Sequence, residues 1–335
     1  MRTDAMRVKN PATLASLHMA DAQVADPGPG DLLVRIRASS LNYHDYAVVT
    51  GILSVADGRI PLSDGAGDVI AVGEDVAALK VGDQVISTFF QNWPDGSLRD
   101  SAFENVPGDG IDGFACRHVL IPERSLTHIP KGFRLDEAAT LVCAGVTAWR
   151  ALAVNGAVQS GETVLIQGSG GVSVFALQLA KAAGATVIAT SSSDEKLQKL
   201  RQLGADHLIN YRSTPDWGAE AFRLSNGGVD HVVEIGGVGT LTQSIAAVRN
   251  GGHIALIGAL TGREGNVPTG LLMRKQVRLI GLTVGSRKHQ LDLIRAVEAN
   301  GIRPVIDRTY PMEQLAEAFR YQISGGHFGK ICISI

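Results

Sequence analysis

ETVLIQGSGGVSVFALQLAKAAGATVIATS, residues 162–191, is the stretch that decides the fold. ETVLIQG (162–168) is a short apolar run bounded by glycine, as expected of a strand buried on both faces. VSVFALQLAKAAG (172–184) has helical spacing and ends on glycine, and TVIATS (186–191) reads as a second strand. Between the first strand and the helix lies Gln167-Gly168-Ser169-Gly170-Gly171-Val172-Ser173. Gly168 permits the tight turn, and Gly170 lets backbone N–H groups come close to a pyrophosphate. The positive end of the helix would stabilise that group, with Ser169, Gly171 and Val172 lining the approach. Ser173 takes the place of the third glycine of G-x-G-x-x-G, and is small enough to pack near the strand.

The second strand ends in Ser191-Ser192-Ser193, followed by Lys196. A dinucleotide site that prefers NAD places an Asp or Glu there to bond the adenosine ribose. Without that carboxylate a 2′-phosphate meets no repulsion, and hydroxyls with a lysine supply donors for it. Tyr211 and Arg212, ending the third strand, add a hydroxyl and a second cation. NADPH is therefore the expected cofactor. The plainer reading is a helix start capped by Ser193 with Lys196 exposed, and both readings can hold at once.

The alternation continues outward. DEKLQKLRQLG (194–204), HLINY (207–211), VDHVVEIGG (229–237), GGHIALIGAL (251–260) and VRLIGLTVG (277–285) add a helix and further strands, and 136–154 reads as helical. Strands alternating with helices imply a doubly wound parallel sheet over residues 126–285. Residues 1–125 instead read as short strands between turn signals. Leu33, Arg35 and Arg37 alternate with Val34, Ile36 and Ala38, and glycine-punctuated strands follow at 63–76 and 79–88. Residues 90–113 read as a long surface loop, a length more often functional than not. From 286 the chain shows two helices and the strand-like KICISI, so residues 1–125 and 286–335 form a second, β-rich domain.

The composition bounds the partners. The 335 residues suit about two domains. Lys and Arg (31) nearly balance Asp and Glu (33), so a polyanion partner is not expected. The basic residues Arg274, Lys275, Arg278, Arg287 and Lys288 read as a solvated or subunit-edge face. Glycine is 39 of 335, about 12% against ~7% on average, which suits many close backbone approaches. Cys116, Cys143 and Cys332 are too few and too scattered for a disulfide framework or a four-cysteine zinc cluster. The N-terminus lacks an apolar leader, and no run of 18 apolar residues occurs. A cytoplasmic protein that does not enter a membrane is expected.

SLNYHD, DGAGDVIAVG, VGDQVI, CAGVTAW, the glycine loop with its helix and second strand, LGADHLINY and HFGKICI occur in an order and spacing that resemble the medium-chain dehydrogenase/reductase superfamily. The resemblance is to its zinc-independent, quinone-oxidoreductase-like branch, and covers nearly the whole chain. It implies a GroES-like substrate domain, a Rossmann domain, a cleft between them, and a homodimer joined through edge strands around 277–285. Zinc-dependent members carry a catalytic metal on Cys, His and Cys. The corresponding residues here are Asn42, Ser63 and Cys143, of which one thiolate cannot make a three-ligand site.

Without that Lewis acid, conjugated acceptors become the natural substrates: quinones and α,β-unsaturated carbonyls. The resemblance places Asn42, Tyr43, His44 and Tyr46 nearest the nicotinamide, with Asp45 structural. His44 falls at the proton-relay position, and reads equally as a structural histidine that orients Asp45 or a loop. It sets Thr147 against the nicotinamide, and Phe328 and Lys330 near the cofactor. The tyrosine of the superfamily's enoyl reductases is Leu53 here, which argues against a fatty enoyl thioester. An alcohol or aldehyde dehydrogenase, or a non-catalytic NADPH-binding relative, are the rival readings.

Overall fold

The computed structural model describes residues 1–335 and divides them into two compact units, Met1–Val146 with Gly285–Ile335, and Thr147–Val284. Residues 126–146, expected with the dinucleotide domain, thus belong to the first unit. The reason is sheet pairing: Leu126–His128 adds to the edge of Gln84–Ser87, and the helix Leu135–Ala139 packs on the strands of that sheet.

In the second unit six strands form one parallel sheet in the spatial order His207–Asn210, Thr186–Ser191, Thr163–Gln167, Val229–Glu234, Val248–Leu256, Arg278–Gly281. Counted along the chain this is 3-2-1-4-5-6, the doubly wound order. Apolar runs dictate it: Leu165, Ile188, Val232 and Ile254 are fully buried because helices cover both faces. The helices Trp217–Leu224, Val238–Ala247 and Thr269–Lys275 are not legible as helices in the sequence. They are short, and the first two bury only a few side chains each, including Trp217, Leu241 and Ile245.

The first unit is built on a seven-stranded sheet whose central strand, Asp31–Ser40, pairs antiparallel with Ala66–Val72, His118–Pro122 and Lys330–Ser334. The period-2 pattern holds from Val34 on: Val34, Ile36 and Ala38 face inward while Arg35 and Arg37 are exposed and share Asp68. Leu33, expected on the arginine face, is instead buried where the register with Ala66–Val72 shifts. Pairing of Lys330–Ser334 with Asp31–Ser40 sets Cys332 opposite Ser40, which carries Lys330 toward Asn42 just beyond the strand end.

Two expectations are corrected and a third is tested. Residues 90–113 do not simply lie on the surface, because Phe90, Trp93 and Ala102 are buried and Trp93 stacks edge-on against Phe90 and His289. Lys275 is not on a solvated face: its Nζ reaches the carbonyls of Ile245 and Ala246 at 2.8 Å, complementing the negative end of the helix Val238–Ala247. Finally, the helical run Leu135–Gly156 is long and apolar enough to cross a membrane by length and composition. Of the residues in its most apolar 18-residue window 72% are buried within the protein, as in a core helix, and the run carries Asp136 and Arg150.

Two histidines sit side by side in the parallel sheet, His231 opposite His253, with their Nδ1 atoms 3.4 Å apart. His231 Nε2 meets Glu162 at 2.9 Å, whereas His253 Nε2 is buried with no hydrogen-bond partner. Burial, then His231 and Arg278, push the pKa of His253 down to about 4 from 6.5. Because the folded value is depressed, the unfolded chain takes up this proton first. Stability therefore declines as pH falls from about 6.5 to about 4 and levels off below. His253→Phe should flatten the acid limb of Tm against pH in that window. A limb of unchanged slope would show that other groups govern acid unfolding.

Candidate active site

The glycine loop follows from its backbone demands. Gly168 has φ +69°, while a Cβ there would meet only Ile235 Cδ1 at 3.8 Å. The constraint is therefore conformational rather than spatial. Gly170 caps the helix Gly171–Ala182, which starts as the first strand ends. Ser169 is buried, and Ser173 closes the helix onto the strand by donating from Oγ to the Gln167 carbonyl at 2.6 Å. This is the packing that the third glycine of the fingerprint usually permits.

The loop is braced from the neighbouring strand. Gln167 Nε2 donates to Glu234 Oε2 at 2.7 Å and to Ser244 Oγ at 2.8 Å. Glu234, fully buried, also accepts from the N–H groups of Gly236 and Gly237 and from Thr240 Oγ1. These residues lie where strand order reverses, between Thr163–Gln167 and Val229–Glu234, the place at which open α/β sheets bind ligands. Nothing in the sequence marks Glu234 except its position ending an apolar strand.

At the next strand end Asn210 pairs in register with Ser191, so Ser191 and Tyr211 emerge side by side. Ser191 Oγ accepts from the Ser193 N–H, and Ser193 Oγ accepts from the Lys196 N–H at 3.3 Å, capping the helix Asp194–Gln202. Ser192 and Lys196 are half-buried and Tyr211 is exposed. The capped helix and a cluster of hydroxyls with a lysine coexist at this edge. Thr147 opens the second unit, buried in the helical turn Val146–Trp149 between two π-helical segments.

In the first unit Asn42 caps the helix Tyr43–Val49 and is almost wholly engaged. Its Nδ2 donates to Asp64 Oδ2 at 2.9 Å and Ser63 Oγ at 3.3 Å, while its Oδ1 accepts from Lys330 Nζ at 2.7 Å. Lys330 also donates to the Leu41 carbonyl and lies 3.8 Å from Asp64. Asp64 has no exposed surface, and burial, opposed chiefly by Lys330, pushes its pKa up to about 6. Asn42 thus belongs to a buried polar knot rather than presenting a free donor. Lys330, expected near the cofactor, is directed into that knot because the sheet register delivers it there.

His44 stands apart from this knot on the same helix. Its Nδ1 is 3.6 Å from Asp45 and its Nε2 is 3.5 Å from Asp109, distances of ion pairs without directed hydrogen bonds. Burial works to lower its pKa, but the two carboxylates prevail and raise it to about 9. The ring also meets the edge of Phe89 at 5.3 Å. Asp45 accepts from the N–H groups of Asn42 and Ser63, both at 2.8 Å, and so ties the helix start to the 63–64 segment. Tyr46, two residues on and roughly opposite on the helix, packs toward Phe319 at 6.3 Å. The structure does not bring Tyr46 to His44. Phe328 is buried, its N–H held by Asp307 at 3.2 Å.

Residues 28–131 match the alcohol dehydrogenase GroES-like domain, and residues 171–299 match the zinc-binding dehydrogenase family. A zinc-type alcohol dehydrogenase-like protein of Schizosaccharomyces pombe is 43% identical over 317 residues, 92% of this chain and 91% of that protein. The chain belongs to the medium-chain dehydrogenase/reductase superfamily. The crystal structure of a putative alcohol dehydrogenase from Sinorhizobium meliloti 1021 is similar throughout, with a TM-score of 0.93 at 40% identity over 100% and 99% of the two chains. An acryloyl-coenzyme A reductase of Sulfurisphaera tokodaii is 29% identical over 93% of this chain and 95% of its own length.

As a superfamily member the chain is an oxidoreductase that uses a nicotinamide cofactor, and its glycine loop fits a dinucleotide. The zinc of the family name fits poorly. Two of the three ligand positions, Asn42 and Ser63, offer an amide and a hydroxyl, and the Lys330 ammonium abuts Asn42. No group of three or more His, Cys, Asp and Glu side chains is gathered as a metal site. Asp64 and Asp109 escape a reading of the sequence because both converge on the site only through folding. Gly168→Ala should weaken dinucleotide binding and lower stability by ~1–2 kcal/mol through backbone strain. Unchanged Tm and Kd would show that the loop relaxes freely.

Proposed function

We propose that the protein is an NADPH-dependent reductase of quinones or α,β-unsaturated carbonyls that works without zinc. The observation that carries this reading is the Asn42–Asp64–Lys330 knot. Asn42 and Ser63, at two of the three ligand positions, are tied into it by hydrogen bonds, and Lys330 supplies its own cation. A divalent ion entering there would face a buried ammonium. With no Lewis acid to polarise a simple alcohol or ketone, acceptors that delocalise the incoming charge are favoured. Similarity to an acryloyl-coenzyme A reductase supports reduction of a conjugated double bond.

The bound cofactor would supply hydride. The residues of this chain then have to bind the acceptor and deliver a proton to the enolate or phenolate oxygen or carbon. His44, held charged by Asp45 and Asp109, is the residue we assign to that delivery. Donation leaves neutral imidazole, which water reprotonates. The chain would act as a cytoplasmic homodimer on a small-molecule acceptor, with the edge strand Arg278–Gly281 as the surface to which a second copy adds.

NADPH oxidation against a panel of quinones, enals, enones and simple aldehydes is the direct test. Turnover of conjugated acceptors by protein lacking stoichiometric zinc is expected, and His44→Ala should reduce it by ~10²-fold or more with NADPH affinity nearly unchanged. One tightly held zinc per chain, with activity on alcohols, would return the protein to the alcohol dehydrogenases. Near-normal turnover in His44→Ala would leave proton delivery to water.

Cofactor choice is checked separately. Ser191 stands where NAD-preferring enzymes keep a carboxylate, so NADPH should bind more tightly than NADH. The double change Ser191→Asp with Lys196→Ala should reverse that order. Equal affinities in the unaltered protein would count against the 2′-phosphate assignment.

A further inference from the structure

His44 and Asp109 are 65 residues apart in sequence, and what joins them is a braced turn. Within the turn, the Gly108 N–H bonds the Ile111 carbonyl at 2.9 Å, and the Asp109 N–H bonds the Val106 carbonyl at 3.1 Å. Arg59 reaches across to Asp112 at 3.1 Å and to the Gly110 carbonyl at 3.2 Å. The Ile60 N–H also bonds Asp112, and the Gly113 N–H bonds the Ile60 carbonyl at 2.7 Å. Gly113 is obligatory there, because a Cβ would lie 2.2 Å from the Leu62 carbonyl oxygen. The backbone on both sides of Asp109 is thereby fixed, and its carboxylate faces His44 Nε2 while Asp45 faces Nδ1.

We propose that Asp109 is a positioning residue: with Asp45 it clamps the His44 ring from both nitrogens, fixing its orientation and keeping it in the charged, donating form. This rests on the reading of His44 as proton donor. Both contacts are longer than a directed hydrogen bond. Both ring nitrogens are buried, so a substrate oxygen reaches one N–H only by displacing a facing carboxylate, but it has no short, well-aligned bond to break in doing so. The charged groups facing the ring are Asp45 on its own helix and Asp109 on the turn, with Arg59 behind Asp109 and the Phe89 ring edge beside it. His44 and Arg59 both hold the Asp109 carboxyl below its usual range, so it remains an anion while His44 is charged. Its side chain is 37% exposed, which gives the clamp an edge on water through which a spent imidazole regains its proton.

The sign of the pH effect is fixed by this arrangement. His44 is raised to about 9, so the acid form persists through neutral pH and activity declines as pH rises through the alkaline range. Removing one of the two carboxylates brings that decline to lower pH, by ~1 pH unit or more for an opposite charge at this distance. The experiment measures kcat against pH for the unaltered protein, Asp109→Asn and Asp109→Glu, and titrates His44 directly by its imidazole ¹⁵N shifts. Asp109→Asn is expected to move both the His44 titration and the alkaline limb of kcat toward acid, and Asp109→Glu to restore most of both shifts. A His44 titration unmoved in a folded Asp109→Asn protein would overturn the clamp. If the titration moves while the kcat profile stays put, the clamp stands and it is the donor role of His44 that fails.

Discussion

A buried ammonium governs the first unit. Lys330 Nζ, almost without exposure, is held by the Leu41 carbonyl and Asn42 Oδ1 at 2.7 Å each, with Asp64 at 3.8 Å. A charge removed from water at that depth persists only where its protons find partners. Those partners fix the end of the central strand, the cap of the Tyr43–Val49 helix and the 63–64 segment in one arrangement. Asp45 extends it by bonding the N–H groups of Asn42 and Ser63. His44 is placed by this framework without belonging to it, which leaves its ring between Asp45 of the framework and Asp109 outside it. Replacing Lys330 alone would strand Asp64 and Asn42, so the knot acts as a unit.

The second unit rests on a different device, the coupling of its glycine loop to the adjoining strand. Across the point where strand order reverses, Gln167 donates to Glu234 and accepts from the Ile235 N–H. A buried carboxylate there accepts from two backbone N–H groups, Thr240 and Ser244, which offsets its desolvation. The turn that must accommodate a pyrophosphate is therefore held from behind by side chains. Its own residues are free of that task and can be small.

Much of this is legible in the amino-acid sequence. The strand–glycine–helix run at 162–191 carries its own geometry, because periodicity, glycine and small residues all act locally. The alternation at 33–38 marks the central strand for the same reason. Sequence reasoning fails where position depends on distant partners. Lys330 reads as a cofactor contact, but the register with Asp31–Ser40 turns it toward Asn42. Asp109 carries no local signal, since the Arg59 brace that aims it is about 50 residues away. Asn42 and Tyr46 share a short motif with His44, yet helix geometry and the buried knot send the three in different directions. Lys275 likewise reads as solvated because a helix terminus formed by residues 238–247 cannot be seen from position 275.

The strand Lys330–Ser334 inserts beside Asp31–Ser40 although the whole second unit intervenes in sequence. In a chain made from the N-terminus, residues 147–284 can complete their sheet while the first unit still lacks a strand and its buried cation. Until residue 334 is released, the Ala38–Ser40 end of Asp31–Ser40, beyond its pairing with His118–Pro122, presents an open edge, and open edges recruit strands from other chains. Deleting that strand therefore does more than shorten the chain. It removes the stopper from a central sheet position, and the hazard it creates is association of half-made molecules rather than simple loss of activity.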